Sequence, residues 1–529
     1  MRRLVPEICL LLAGVSSFGQ IVNTRVSDPT STNPEEVVIS INPQDPRMLI
    51  AAANLDYFYS STDAGVTWMQ GRLTSPYGVA GDPCVIFDAL GNAYYAHLSN
   101  PQGGSWLDRI VVQKSTDGGK TWNNGVGIGL NGTKDQDKEW LAADMTNSPY
   151  RNSLYCAWTE FDVYGSAAAK DSTRILFSRS TDSGGSWSAP VRVSDRGGNC
   201  VDEDNTVEGA VPAVGPNGEV SLAWSGPLGI LFDRSTDGGV TWGTDVFVAA
   251  QPGGWDFSVP GIYRCNGMPI TACDVSSSPY RGRIYVLWSD QRAGFDNTDV
   301  FIIHSTDGGA TWGGTVQVND DLTVSHQFFP WLTVDPISGN LYAAFYDRRN
   351  TSGVQTDVTV ARSTDGGSTF TNFTVSASSF TPTSGIFFGD YIGIAARDRK
   401  VYPIWMGLDT TRLSIWTAPF ADTLSTGVAT EPGVPGGYVL QCFPNPFNPS
   451  TTLRVDVPMR GRGERGRVRI RLSVHDILGQ EVARLADGEY PPGRHEMVFD
   501  AGRGTTSGLY FARLEAEGHV WTARLVMLR

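Results

Sequence analysis

Charged and polar side chains recur where the short apolar runs of this 529-residue chain begin or end. Carboxylates there can serve as acid and base, and guanidinium groups bind carboxylates in a two-pronged geometry. Any one of them is more often a solvated loop charge, but together they predict a ligand site. The candidates before a run are Asp82, Glu139, Glu208, Asn266, His326 and Asp390. The candidates after a run are Glu160, Asp162, Asp290, Arg292, Asp347, Arg348 and Arg349.

Two carboxyl groups can hydrolyse a glycosidic bond, and some of these residues suit that reaction. A separation of about 5 Å between the two groups predicts retention of configuration, and about 6.5–9.5 Å predicts inversion. The candidates for this pair are Glu139, Glu208, Asp347 and Asp390.

The elements that must position these residues follow from a phrase that occurs six times, with the pattern S-T-D-x-G-x-[ST]-[WF]. Such repetition marks one supersecondary unit used again and again. The Asp can accept backbone N–H groups within its own turn, and the Gly supplies a positive φ. The Trp or Phe is predicted to pack as a wedge between neighbouring sheets. The six aspartates are Asp63, Asp117, Asp182, Asp237, Asp307 and Asp365.

Each phrase lies in a module of four short strands, as in Met268–Cys273, Gly282–Trp288, Val300–His304 and Thr315–Asn319. Because no long stretch has apolar residues at helical spacing, an all-β protein is predicted. Four antiparallel strands per unit, repeated radially, indicate a β-propeller. In a propeller the phrase turns occupy one face, and the loops that carry the candidate residues share the other.

The repeated phrase resembles the Asp-box, or bacterial neuraminidase repeat, of sialidases and related propellers. The resemblance implies boxes on the face away from the active site, and a site with three arginines, a Tyr nucleophile activated by Glu, and an Asp acid/base. Those roles would fall on Arg264, Arg292 and Arg348, with Arg349 as a further candidate, on Tyr391 or Tyr346, on Glu208, and on Asp82 or Asp390. The family phrase F-R-I-P is missing, since the corresponding segment Asn33–Glu36 has no Arg. This difference disfavours sialidase activity.

The number of blades is predicted to be seven, one more than the number of boxes. Three strand patterns follow the sixth box, at Tyr391–Ala395, Val401–Trp405 and Leu413–Thr417. The early segment Asn23–Asp28 resembles a fourth strand, so both ends of residues 20–420 would complete one blade and remove open sheet edges. A six-bladed ring with an extra sheet is the alternative.

The sequence favours a binder of extracellular glycans or glycoproteins, with an exo-sialidase or another glycoside hydrolase as the alternative. Aromatic rings at the mouth of the ring would stack on sugar faces, and Phe328, Phe329 and Phe387 are suitable. Trp331 and Phe388 are instead predicted to plug the central channel. The predicted ligand-binding residues are Asp82, Glu139, His326, Asp347, Arg349 and Phe329.

The net charge of −14 disfavours nucleic acid or an anionic membrane as a partner, since both would repel the chain. Cys200 and Cys265 are the predicted disulfide, because both lie in polar loops of an exported chain. No C-x-x-C or Cys/His cluster occurs, and no metal ligand set is predicted. The acidic loops at 202–204 and 296–299 have oxygen ligands for a structural calcium, although solvated loops are the simpler interpretation.

Residues 1–19 have the pattern of a signal peptide. Arg2 and Arg3 precede the apolar run Ile8–Val15, and small residues end at Gly19. The apolar run is too short to span a bilayer, so no transmembrane segment is predicted.

The last part of the chain differs in charge and pattern. Residues 421–437 lack a strand pattern and are predicted to be a linker. Residues 438–529 carry 13 Arg and 10 acidic residues, and their Gly-bounded strands predict a small β-sandwich. The segments Pro444–Thr451, Asp476–Ala483 and Ser507–Leu514 make this part similar to the C-terminal sorting domain of the type IX secretion system. The resemblance implies export across a bacterial outer membrane, with release or attachment at the cell surface.

Overall fold

The computed structural model describes residues 21–409, 411–422, 439–443, 447–457, 467–491, 493–502, 506–517 and 519–527. Every regular element in these ranges is a β-strand, which confirms the all-β prediction. No helix within them is long and apolar enough to cross a membrane. The predicted signal peptide and residues 423–437 of the predicted linker lie outside the described residues. Contacts divide the chain into two compact units, residues 1–424 and 425–529.

The first unit contains seven antiparallel sheets of four or five strands and one two-stranded sheet. In chain order its strands are β1 (Thr24–Arg25), β2 (Val38–Ile41), β3 (Leu49–Ala53), β4 (Tyr57–Ser61), β5 (Met69–Arg72), β6 (Cys84–Phe87), β7 (Ala93–Leu98), β8 (Ile110–Ser115), β9 (Val126–Ile128), β10 (Asp135–Ala143), β11 (Leu154–Phe161), β12 (Thr173–Ser180), β13 (Val191–Arg192), β14 (Glu208–Val214), β15 (Val220–Ser225), β16 (Ile230–Ser235), β17 (Val246–Ala249), β18 (Asp256–Phe257), β19 (Cys265–Asn266), β20 (Ile270–Cys273), β21 (Ile284–Asp290), β22 (Asp299–Ser305), β23 (Val316–Gln317), β24 (Gln327–Val334), β25 (Leu341–Asp347), β26 (Asp357–Ser363), β27 (Thr371–Thr374), β28 (Gly393–Arg397), β29 (Lys400–Asp409), β30 (Arg412–Thr417) and β31 (Phe420–Ala421).

Six of these sheets are runs of four consecutive strands that begin at β2, β6, β10, β14, β20 and β24. In the last sheet β28, β29 and β30 pair in order, and the N-terminal strand β1 pairs with β30 through Thr24 opposite Thr417. The first strands contact one another in the order β2, β6, β10, β14, β20, β24, β28 and back to β2. This order of contacts is consistent with a β-propeller whose first strands are innermost.

The strands of this unit are apolar on both faces because each sheet lies between two others. Every residue of β21 and of β25 is buried. Side chains that alternate along a strand enter the gaps on either side of the sheet. The largest fully buried ones are Trp158, Trp224 and Trp288. Burial on both faces explains why these short runs lack a polar alternation.

The repeated phrase forms the turn between the third and fourth strands of six sheets. In the fifth sheet, Ser305 Oγ donates to Asp307 Oδ1 at 2.8 Å and Thr311 N donates to the same oxygen at 2.9 Å. The N–H of Gly309 in turn donates to Ser305 Oγ at 2.8 Å. The same serine–aspartate bond recurs at Asp63, Asp117, Asp182, Asp237 and Asp365. The carboxylate therefore satisfies the polar groups of its own turn, as predicted.

In three of the boxes the tryptophan, Trp122, Trp242 or Trp312, packs against an aromatic ring of the preceding sheet. Ring centroids are 4.8 Å apart for Trp242 and Phe177, and 5.1 Å apart for Trp312 and Phe232. Only glycine fits at position 309. A Cβ there would lie 2.0 Å from a ring carbon of Phe232, and the φ of Gly309 is +90°. These boxes thus join two neighbouring sheets as well as closing their own turns.

The second unit contains two antiparallel sheets, of three and four strands. Both sheets contribute to one apolar core, with Leu453 and Phe499 from the first and Leu472 and Leu514 from the second. The strands are β32 (Val439–Phe443), β33 (Ser450–Val457), β34 (Val468–His475), β35 (Glu481–Tyr490), β36 (Gly493–Asp500), β37 (Gly508–Ala516) and β38 (His519–Met527).

The hydrogen bonds of the box carboxylate predict a stability that depends on pH. Bonds from Ser186 lower the pKa of Asp182 from 3.8 to about 2. Its stabilising effect is therefore complete above pH 4 and is lost as the pH falls through 2. We expect Asp182→Ala to lower the free energy of unfolding by about 1 kcal/mol at pH 7, with a smaller difference towards pH 2. Urea denaturation at both pH values measures this, and Asp182→Asn, which keeps one acceptor oxygen, should lose less. An effect of equal size at pH 2 would contradict the assignment.

Candidate functional site

Four innermost strands have a residue with left-handed backbone geometry just before them or within their first four residues. The φ angles are 56° at Glu36, 50° at Asp82, 54° at Lys138 and 48° at Phe329. Non-glycine residues avoid this region, and each such residue costs about 1–3 kcal/mol. Three of the four carry charged side chains, and these meet at the mouth of the ring on the face opposite the boxes. Residues with strained backbone thus lie where ionisable side chains meet. Such strain clusters at functional sites.

Lys138 is the centre of this charged group. Its Nζ lies 2.9 Å from Asp82 Oδ2 and 2.8 Å from Asp390 Oδ2. Arg264 holds the same Asp390 with two guanidinium nitrogens, one of them Nε at 2.8 Å from Oδ1. Burial opposes the charge of Asp390, but Lys138 and Arg264 hold its pKa well below the usual range. Both mouth cations are therefore neutralised by carboxylates.

Other carboxyl groups around Lys138 are buried without a cation of their own. Glu139 and Glu208 are almost fully buried, and none of their four carboxyl oxygens has a hydrogen-bond partner within the described residues. Burial raises the pKa of both, and it raises the pKa of Glu36, which accepts from Asn54 Nδ2. Burial also raises the pKa of Asp137 to about 7, against the pull of Lys138. The carboxyl groups of the mouth therefore have pKa values shifted in opposite directions, raised for Glu36, Glu139 and Glu208 and lowered for Asp390, which is an arrangement that suits acid and base chemistry.

A cleft of about 330 Å³ opens over these charges. Its floor includes Asp82, Asp137, Lys138 and Arg264. Two pairs of aromatic rings line it, Trp106 with Tyr164 at 6.0 Å and Tyr263 with Phe387 at 5.9 Å. Trp106 is 53% exposed and Tyr263 is 64% exposed, although aromatic rings of this size are usually buried. A cleft with exposed rings over polar groups is suited to a ligand with both apolar and hydroxylated faces.

The predicted arginines do not meet in this cleft. Arg264 lines it, whereas Arg292 is held by Asp290 at 2.6 Å and lies over the ring of Phe301. Arg348 is buried and donates to Thr356 Oγ1 at 3.0 Å and to Pro260 O at 2.8 Å. Arg292 is thus engaged within its own loop and Arg348 by Thr356 and Pro260, so the structure does not assemble the predicted arginine triad.

The two candidate nucleophiles are buried phenols. Tyr391 donates to Pro83 O at 3.1 Å, and Tyr346 donates to Met406 O at 2.7 Å. Burial raises the pKa of both hydroxyls, so both stay protonated. Tyr391 packs with Trp140 at 4.9 Å and with Trp331 at 5.9 Å. These three rings plug the channel below the mouth, which is the place predicted for Trp331.

The remaining predicted ligand residues have structural partners. His326 Nδ1 lies 2.9 Å from Thr298 Oγ1, and burial lowers its pKa to about 4. Asp347 pairs with Arg349 at 2.6 Å, and Arg349 also contacts Asp320. Phe329 is buried. None of these four is among the residues lining the cleft.

The predicted disulfide is not present in this structure, because Cys200 and Cys265 are both buried free thiols. The backbone of Cys200 bridges to Ser166, whereas Cys265 lies in β19 opposite Phe257, so separate elements hold them. In the acidic loops, Asp202 accepts from Tyr164 at 2.6 Å and Asp299 accepts from Asn319 at 2.7 Å. Within the described residues no group of three or more possible ligands is arranged for a metal ion.

Sequence reasoning missed several residues of the site. Glu36 and Lys138 occupy the same position as Asp82, two residues before the first inward-facing side chain of their strands. Alignment of the first strands of all modules would have found them. Trp106, Tyr164 and Tyr263 lie in loops outside the repeat, where no periodic signal marks them.

Comparison with known proteins gives one family match over part of the chain and several similar solved structures. The model of the BNR repeat-like domain matches residues 152–389. No curated protein matches the chain. Solved structures similar to it include a protein of unknown function from Dyadobacter fermentans (12% identity, covering 76% of this chain and 98% of that chain, TM-score 0.42). Trypanosoma rangeli sialidase is 13% identical, with 87% and 85% covered and a TM-score of 0.41. The α-L-arabinofuranosidase of Fusarium graminearum is 12% identical, with 76% and 98% covered and a TM-score of 0.42.

The dependence of the mouth on Lys138 can be tested by removing its charge. We expect Lys138→Met to lower the free energy of unfolding by about 3–5 kcal/mol, because two buried carboxylates lose a partner. Arg264→Met should cost less, since this side chain is 38% exposed and Asp390 keeps Lys138. Urea denaturation followed by tryptophan fluorescence compares them. Equal midpoints for Lys138→Met and the unaltered chain would refute the role of this ion pair.

Proposed function

We propose that this protein is an exported, seven-bladed, sialidase-like propeller whose mouth binds extracellular glycans or glycoproteins. The seven blades are supported by the seven sheets, by the cyclic order of their first strands, and by the pairing of β1 with β30. The observation that carries the function is the cleft with two exposed aromatic pairs above a charged floor.

The chemistry of the cleft fits a sugar better than an anion. Aromatic rings present flat apolar faces to sugar rings, and the carboxylates of Asp82 and Asp137 can accept hydroxyl protons. An acidic sugar would need a free cation, but Lys138 and Arg264 are already paired with Asp82 and Asp390. Binding of neutral glycans is therefore favoured over recognition of a sialic acid carboxylate.

A glycoside hydrolase is the alternative, because the mouth combines carboxyl groups in different protonation states. Burial raises the pKa of Glu208, which favours the protonated form that a general acid needs, and the nearby Asp202 raises this pKa further. Paired carboxyl groups of this kind catalyse glycoside hydrolysis in most families. Exo-sialidase activity is the less favoured form of this alternative, because Arg292 and Arg348 are engaged elsewhere.

The location outside the cell is also part of the proposal. Residues 1–19 would direct export, and residues 438–529 would be recognised by type IX secretion machinery as a small β-sandwich. Two sheets with a common core in residues 439–527 support the sandwich. The propeller would then act in solution or at the surface of a bacterium.

Glycan binding is tested with an array of neutral and sialylated glycans. We expect binding to neutral glycans that Trp106→Ala and Tyr263→Ala each weaken at least tenfold, since one stacked ring is lost in each. Phe295→Ala is the matched control, because this ring is 83% exposed but does not line the cleft. Retained binding in both cleft variants would contradict the proposed site.

The enzymatic alternative is tested with a panel of fluorogenic glycosides and a sialoside. For a binder we expect no turnover of any member of the panel. Turnover that disappears in Glu208→Gln, a substitution that cannot donate the proton, would establish a hydrolase and overturn the binding assignment.

The sorting function is tested in a bacterium that has type IX secretion. We expect deletion of residues 438–529 to leave the propeller in the periplasm, and a fluorescent reporter fused to these residues to reach the cell surface or medium. The same deletion in a strain without the secretion system is the control and should change nothing. Export of the truncated chain would contradict the proposed sorting function of residues 438–529.

A further inference from the structure

A second cavity, also of about 330 Å³, lies inside the ring of first strands. Its walls come from the first strands of all seven sheets, and Trp140 and Trp331 of the aromatic plug close it on the mouth side. It extends to the far ends of these strands, where Met145 and Arg397 line it. The cavity is therefore separate from the glycan cleft.

Small side chains produce this void. Residues two apart on a strand face the same side, so Ala142 and Thr333 follow the plug residues Trp140 and Trp331 along the channel wall. Although they belong to innermost strands, Ala142 and Thr333 are only half-buried, as expected beside an open space. Other small residues of the wall are Ser40, Ala272 and Ala395.

The channel opens on the box face into a vestibule of about 490 Å³. Loops that join first and second strands form the vestibule, and they place Arg151, Arg281 and Arg397 in its lining. No Asp or Glu lines the vestibule or the channel, although the chain carries a net charge of −14. This is a basic opening in an acidic protein.

The three arginines are not paired with acids. Arg151 donates to Thr146 O at 2.6 Å and Arg281 donates to Ser276 O at 2.9 Å, both within their own loops. No ion pair of Arg151, Arg281 or Arg397 exists among the residues that the structure describes. Their charge is thus available to an anion, in contrast to the paired cations of the mouth.

We propose that this channel binds an amphiphilic anion, a linear apolar chain with a carboxylate at one end. An apolar cavity of about 150 Å³ already holds benzene, so the channel has room for a longer hydrocarbon tail. Guanidinium groups at the opening match a carboxylate in geometry and charge. The tail lies among the small residues of the channel, and the head group remains in the vestibule. This site is independent of the glycan cleft.

Decanoate is the probe for this site, used with the full chain at concentrations below micelle formation. Isothermal titration calorimetry should show saturable binding of one decanoate per chain. Decyltrimethylammonium, which has the same tail and the opposite charge, and acetate, which has no tail, should not bind. Absence of saturable decanoate binding, or equal binding of the cation, would overturn the proposal.

Variants locate the binding. The triple variant Arg151→Gln, Arg281→Gln, Arg397→Gln should weaken decanoate binding at least tenfold, and Ala142→Phe, which fills the channel, should abolish it. Arg196→Gln is the control for charge, since Arg196 is exposed in a loop outside the vestibule. Thermal melting verifies folding, and Ala272→Leu replaces Ala142→Phe if the latter fails to fold. Unchanged affinity in the triple variant or in the folded channel-filling variant would refute the site.

Discussion

The contact between a box tryptophan and an aromatic ring of the preceding sheet, seen for Trp122, Trp242 and Trp312, is the interaction on which the ring depends. The contact connects a box turn to a sheet residue more than fifty positions earlier in the chain. Trp242 contacts Phe177 in this way, and Trp312 contacts Phe232. The carboxylate of the box holds the turn so that the indole points into the gap. These contacts lie on one face of the ring. The loops on the opposite face do not make them, so their residues are available for other interactions.

At the mouth, charged side chains from separate parts of the chain are paired with one another. Lys138 comes from β10, Asp82 and Asp390 come from the loops before β6 and β28, and Arg264 comes from the segment between β18 and β19. Taking these charges out of water is favourable only because each one has a partner at close range. Within the described residues, the same pairing engages both Lys138 and Arg264. The proposed preference of the mouth for neutral ligands therefore rests on the same ion pairs that hold its charges.

The two ends of the channel have opposite character. Carboxyl groups dominate the mouth, whereas arginines without acidic partners surround the vestibule. The rings of Trp140, Trp331 and Tyr391 separate them. A plug of large rings beside small wall residues thus separates the cleft of the mouth from the cavity of the channel, and the linings of the two openings differ in polarity.

Sequence alone determined the strands, the box turns and their wedge, because these depend on residues close together in the chain or repeated along it. The recurring Asp, Gly and Trp have local hydrogen bonds, backbone angles and packing that a repeat makes visible. The meeting of Lys138 with Asp390 and the bond from Arg348 to Pro260 were decided only by tertiary structure. Those contacts join loops whose order in space depends on closure of the ring, and no spacing along the chain encodes which charge finds which partner.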